Sequence, residues 1–365
     1  MAAQWVRWLV PGLLLGLLAA ADLSLNQATS VASLVVITPL VAAALIGARS
    51  TAAYGVVAVG AWFALSLHDH LLVPGAPRHA SIIRGIGIAI GAVVAVLTAM
   101  NRERHEEQLR EVRRIADVAQ QTILREVPAR LGATQLAGRY RSSARAATVG
   151  GDFYETIATP WGVRVLMGDV RGKGLEAVQL AAEVLGAFRE WATLTEDIAD
   201  LLERLHAAAT RRAVVGDFVT ASLVQIAPDG RCSAVSAGHP QPVLIRDGQA
   251  TLLPVPITRP PLVFGGRAAV GEHALLPGDQ LVLYTDGVTE ARRRVDRAFF
   301  DDERLLSTLT DCVNPATSVS RLGDAVSTWT DGCAVDDFAI VGVQYDPVTT
   351  PESGAATVET VIRAA

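Results

Sequence analysis

Two regimes of apolar patterning divide the chain. Up to about residue 100 the apolar residues run almost without interruption in four segments, Trp5–Ala21, Val31–Ala48, Thr51–Leu67 and Ser81–Met100. Each approaches the roughly 20 residues that a helix needs to cross a bilayer, so the pattern predicts an all-α transmembrane domain of about four helices over residues 1–100. From Asn101 charged residues become frequent. Residues 101–125 contain neither glycine nor proline, and Leu109, Val112, Ala116, Ala119 and Ile123 recur at a 3-4-3-4 spacing. That spacing is a short heptad seam; it predicts a helical connector over 101–127 that either forms a homodimer through residues 105–124 or packs on its own domain.

Beyond Pro128 the period changes again. Two amphipathic helices are predicted over 174–192, with Val178, Ala181, Leu185 and Phe188 on one face, and over 197–214, with Ile198, Leu201, Leu202 and Leu205. Alternating or continuous apolar runs predict strands at Val163–Met167, Phe218–Ile226, Arg231–Ser236, Leu281–Thr285 and Phe338–Val343. Strands and helices in blocks indicate an α+β layered domain over 128–347, not a doubly wound parallel sheet. Residues 348–365 read as a flexible tail.

Charge refines this picture. Arg7 and Arg49 fall on the same side of the four segments as Arg102, Arg104, Arg110, Arg113 and Arg114. The excess of arginine on cytoplasmic loops then predicts a multi-pass protein of the cell membrane with its soluble half in the cytoplasm. With 32 Lys and Arg against 37 Asp and Glu, the net charge of -5 offers no basic surplus for nucleic acid. The three cysteines, Cys232, Cys312 and Cys333, make neither a CxxC pair nor a disulfide framework.

The candidate chemistry lies in acids at the ends of apolar runs. Asp152 follows Gly150-Gly151, Asp169 ends VLMGD, Asp286 ends LVLYTD, and Asp336-Asp337 open DDFAIVGVQ. A single aspartate at a strand end is an ordinary turn residue. Four of them, with glycines that allow close backbone approach, gather hard oxygen donors at one sheet edge and repel one another unless cations intervene. No histidine or cysteine accompanies them, which favours Mg²⁺ or Mn²⁺ over zinc. GDVRGKGL lacks the spacing and the Ser/Thr of a phosphate loop. There is no GxSxG elbow either, so water activated by metal is the remaining nucleophile.

Six segments, GGDFYE, MGDVRGKGLEA, FVTASLV, SAGHPQPVLI, LPGDQLVLYTDGVTEAR and DDFAIVGV, occur in this order between Gly150 and Val343. Together they resemble the metal-dependent protein phosphatase superfamily in its bacterial sporulation stage II E-type branch. The resemblance implies an α-β-β-α sandwich with a two-ion Mn²⁺ or Mg²⁺ centre, acting on phosphoserine or phosphothreonine proteins such as anti-sigma factor antagonists. It further implies that Asp169 bridges both ions, that Asp152 and the Val170 carbonyl hold the first, and that Asp286 and Asp336, or alternatively Asp337, hold the second. Arg171 and Lys173 are candidate phosphate contacts, and His239 sits in a turn between strands. A catalytically silent membrane receptor of this fold is expected to have lost some of these acids, whereas a small-molecule phosphomonoesterase would keep them.

Overall fold

The structure, a computed structural model, describes residues 2–24, 32–68, 78–141, 150–172, 174–214, 216–256, 259–331 and 337–347. The chain divides into two compact units, Met1–Glu111 and Val112–Ala365.

The first unit contains α1 (Ala2–Ser24), a 3-10 turn over Ala32–Val36 continuing into α2 (Ile37–Leu45), α3 (Ala48–His68) and the N-terminal part of α4 (Arg78–Ile123). Among the described residues, three stretches, Trp5–Ser24, Ala48–His68 and Ser81–Val112, are long and apolar enough to cross a membrane. The second expected segment differs: its described helix, Ala32–Leu45, is shorter. At 1.5 Å per residue it falls short of a hydrocarbon core about 30 Å thick. Pro39 lies in the first turn of α2, where its missing N–H costs nothing, and Ile46 turns to extended backbone at the other end. The corner between α2 and α3 is held by charged residues that follow the apolar part of α4. Arg102 Nη2 donates to the Ile46 carbonyl at 2.9 Å, and the Ala48 N–H donates to Glu103 Oε1 at 3.1 Å. A cation thus meets the C-terminal end of α2 and an anion the N-terminal end of α3, each matching the local helix dipole.

Among the described residues, the second unit contains the end of α4 and eleven strands. β1 (Arg130–Leu131), β2 (Thr134–Arg141), β3 (Phe153–Thr159) and β4 (Gly162–Val170) precede α5 (Leu175–Trp191) and α6 (Ile198–Arg212). β5 (Val219–Ile226), β6 (Arg231–Ala237), β7 (Val243–Arg246), β8 (Gln249–Leu252), β9 (Gly271–Ala274) and β10 (Gln280–Tyr284) follow. The unit closes with α7 (Asp302–Leu309), α8 (Pro315–Trp329) and β11 (Phe338–Tyr345). The strands form a six-stranded sheet, β1-β2-β11-β10-β7-β8, and a five-stranded sheet, β3-β4-β5-β6-β9, and every paired neighbour is antiparallel.

Side-chain alternation builds the layers. On β4, Val163, Val165 and Met167 join Val224 and Ile226 of β5, Leu281 and Leu283 of β10, and Ala339, Val341 and Val343 of β11 in one core between the sheets. The intervening Leu166 packs instead with Phe153, Leu185, Phe188, Leu201 and Leu205 beneath α5 and α6. On the other sheet Val282, Phe338 and Ile340 pack under α7 and α8 with Leu305, Leu309 and Leu322. The result is the α-β-β-α sandwich that the resemblance implied.

Helices α7 and α8 were not expected from periodicity, yet both carry ordinary start signals. Asp301 caps α7 by accepting from Arg304 N–H, and Asn314 caps α8 by accepting from Thr317 N–H with Pro315 at the first position. The predicted connector seam splits in two. Leu109 and Val112 are each 55% exposed, while Ile123 packs against the core beneath α5 and α6. Nothing is described of the side chains of Ala116 and Ala119.

Candidate metal centre

The alternation that fills the core between the sheets also aims the acids. Continuing the inward-facing positions 163, 165 and 167 of β4 by one step reaches Asp169. One step before Tyr154, which lies in the same core, is Asp152, and one step before Ala339 is Asp337. Each acid thus stands where an inward-facing row of side chains runs out at the same end of the sandwich. Asp286 joins them from the turn after β10. One carboxylate oxygen from each of Asp152, Asp169 and Asp286 lies within 4.8 Å of the other two.

Glycines make this convergence sterically feasible. A Cβ on Gly150 would collide with the carboxylate of Asp337, and one on Gly287 with the Asp337 carbonyl. A Cβ on Gly151 would run into the carbonyl of Val170, and the Val170 N–H donates to the Gly151 carbonyl at 3.2 Å. The Gly-Gly-Asp and Asp-Gly pairs in the sequence therefore mark places where two strand ends touch.

Thr285 fastens the two sheets here. Its Oγ1 donates to Asp152 Oδ2 at 2.9 Å and accepts the Ala339 N–H at 2.9 Å. Asp152 is buried, and its carboxyl is pushed well above the usual carboxylate range, first by burial and then by the charge of Asp169; the Thr285 hydrogen bond opposes this, while Asp286 and Asp337 add to it. A divalent cation would answer both causes at once. The donor set of carboxylate and carbonyl oxygens suits Mg²⁺ or Mn²⁺, so the residues fit the expected metals.

The other sequence candidates fall as follows. Asp336 and Lys173 lie outside the described residues. Asp337 is buried and raises the pKa of Asp152. Arg171 is exposed but not loose: its guanidinium lies 5.3 Å from the centre of the Phe218 ring and Nη1 donates to the Gly216 carbonyl at 3.3 Å. His239 is buried.

One residue that sequence reasoning passed over touches the site, and a second holds the end of α4 to β3 and α5 nearby. Gln120, near the end of α4, is buried and donates through Nε2 to the Asp152 carbonyl at 3.3 Å. Arg189 of α5 donates to the Ile123 carbonyl and to Glu155 Oε2, each at 2.6 Å. Nothing in the sequence marked either of them.

The family model for stage II sporulation protein E (SpoIIE) matches residues 159–346. Among solved structures, the RsbU and RsbW domains of Rv1364c from Mycobacterium tuberculosis align at 23% identity with a TM-score of 0.50, covering 60% of this chain and 61% of that one. The SiaA-PP2C domain of Pseudomonas aeruginosa aligns at 20% identity with a TM-score of 0.56, covering 68% of this chain and 99% of that one. At these identities the likeness establishes a common fold.

Replacing Thr285 by valine keeps the shape of the side chain and removes both of its hydrogen bonds. The Ala339 N–H then lacks its partner, and we expect a loss of about 1–3 kcal/mol in denaturant unfolding of the full-length protein. An unfolding midpoint equal to that of wild type would show that Thr285 does not fasten the sheets.

Proposed function

The chain belongs to the stage II sporulation protein E (SpoIIE) family, and from that membership we propose that it is a membrane-anchored phosphatase hydrolysing phosphoserine or phosphothreonine in a protein substrate. The observation that supports this most is the convergence of Asp152, Asp169 and Asp286 from three separate strand ends, with Asp337 beside them.

Two divalent cations, Mn²⁺ or Mg²⁺, would supply Lewis acidity and water activation for phosphomonoester hydrolysis. Asp169 is the proposed shared ligand, with Asp152 and the Val170 carbonyl for one ion and Asp286 and Asp336, or its neighbour Asp337, for the other. The protein's own part is to hold these oxygens against their mutual repulsion through the Thr285 bond and the glycine contacts. Arg171 is the proposed phosphate contact, offering the planar fork of its remaining N–H donors to phosphate oxygens. Lys173 is the second candidate for that contact.

The three long apolar helices support a multi-pass anchor, and the arginines that follow Met100 support a cytoplasmic active domain. The exposed Leu109 and Val112, the first two positions of the heptad spacing, support a homodimer through the connector, residues 105–124. Among phosphoproteins, an anti-sigma factor antagonist is the substrate class that family membership favours.

Asp169→Asn in the full-length protein should lower Mn²⁺-dependent turnover of a phosphoserine peptide by at least about 100-fold without unfolding the chain. Wild-type turnover by that variant would overturn the site assignment, and hydrolysis of free phosphoserine in preference to the peptide would favour a small-molecule phosphomonoesterase. Arg171→Ala should raise KM roughly 10-fold, the loss of one charged hydrogen bond, with a smaller change in kcat. An unchanged KM would leave Arg171 to its contacts with Phe218 and Gly216.

A further inference from the structure

His239 is buried between the two sheets, close to the strand ends that bear the acids, and the proposed chemistry does not use it. The turn that carries it is tightly built. Gly238 adopts a φ of +67°, a backbone that favours glycine, and a parallel bridge joins it to Ala221 of β5. Ser236 Oγ accepts the His239 N–H at 3.2 Å and donates to the His239 carbonyl at 3.0 Å. The backbone that carries the ring is therefore fixed by its own turn.

The ring lies between groups of both sheets. On one side Nδ1 lies 3.0 Å from Thr220 Oγ1, and Thr220 is the residue of β5 that pairs with Asp169 of β4. The same hydroxyl reaches the Asp169 carbonyl at 3.4 Å. On the other side the Tyr284 carbonyl of β10 is the group that favours the protonated ring. Tyr284 immediately precedes Thr285 and Asp286. Nε2 is buried and makes no hydrogen bond of normal geometry.

We propose that His239 is a positioning residue of the metal centre: an imidazole strut that links the strand pair bearing Asp169 to the strand bearing Asp286 and thereby sets the spacing of their carboxylates. The proposal rests on reading the acid cluster as a divalent-cation centre. Burial pushes the imidazole down to about 3 from its ordinary 6.5, so the ring is neutral at working pH. With the Thr220 hydroxyl proton turned from the Asp169 carbonyl to Nδ1, the neutral ring carries its own proton on Nε2, the tautomer the strut requires. A buried imidazole with so low a pKa is also the wrong group to protonate a leaving alkoxide.

The test uses the full-length protein in detergent micelles, with Mn²⁺ affinity measured by calorimetry and turnover measured on p-nitrophenyl phosphate from pH 6 to 9. His239→Phe fills the site without either contact. Thr220→Val removes the Nδ1 partner together with the hydroxyl's contact to the Asp169 carbonyl, so wild-type Mn²⁺ affinity in that variant overturns the strut even should the phenylalanine variant fail to fold. Both are expected to weaken Mn²⁺ binding, His239→Phe by about 10–100-fold, and to lower kcat with little change in KM for substrate at saturating metal. The shape of the pH–rate profile should stay that of wild type, and His239→Gln, whose amide can still donate across the gap, should recover part of the affinity. Wild-type Mn²⁺ affinity in folded Thr220→Val and His239→Phe overturns the proposal, as does loss of a limb of the pH–rate profile, which would make His239 a proton donor. If wild-type protein itself takes up no Mn²⁺, the metal-centre reading fails and the strut falls with it, a result distinct from tight binding by wild type and variants alike.

Discussion

Carboxylates that repel one another are held together at the end of a seam between two sheets. Asp152 and Asp169 come from one sheet, Asp286 and Asp337 from the other, and burial raises the cost of leaving their charges unanswered. Any displacement of one sheet along the other would separate these acids. Much of the soluble unit is therefore a device for fixing that register: antiparallel pairing within each sheet, a close-packed apolar core between them, and helices covering both outer faces.

A few polar contacts cross the seam where the apolar core ends. Thr285 ties β10 to Asp152 and to the start of β11, and the glycines at 150, 151 and 287 let backbone and carboxylate approach without a Cβ between them. The proposed His239 strut belongs to the same layer. From outside the sheets, Gln120 of α4 reaches the Asp152 carbonyl, so the connector helix ends in direct contact with a candidate ligand's backbone. Movement of the last turn of α4 would be felt at that strand end.

Much of this was legible in the sequence, because a strand's period of two fixes which residues share a face. Val163, Val165, Met167 and Asp169 form one row, and so do Asp337, Ala339, Val341 and Val343, so the inward aim of these acids follows from alternation alone. Their convergence does not, because it depends on how two sheets stack, which no local pattern encodes; the resemblance supplied it. The α8 segment PATSVSRLGDAVSTW is rich in Ser, Thr, Ala and Gly, and its apolar face is too thin for periodicity to reveal, although Asn314-Pro315 marks its start. The second apolar segment looked long enough to span a bilayer, but its described helix, Ala32–Leu45, stops where Ile46 turns to extended backbone before Gly47. Thr285 and Gln120 were invisible for a different reason: their importance lies in partners more than 30 residues away.

The central claim is that these acids form a divalent-cation site, and locating the ion tests it most directly. Anomalous X-ray scattering from crystals of the protein soaked with Mn²⁺ would do so. The account predicts peaks at roughly 2.0–2.6 Å from carboxylate oxygens of Asp152, Asp169 and Asp286, the usual range for hard cations on oxygen. Manganese peaks elsewhere, with this cluster vacant in protein that turns over substrate, would contradict it.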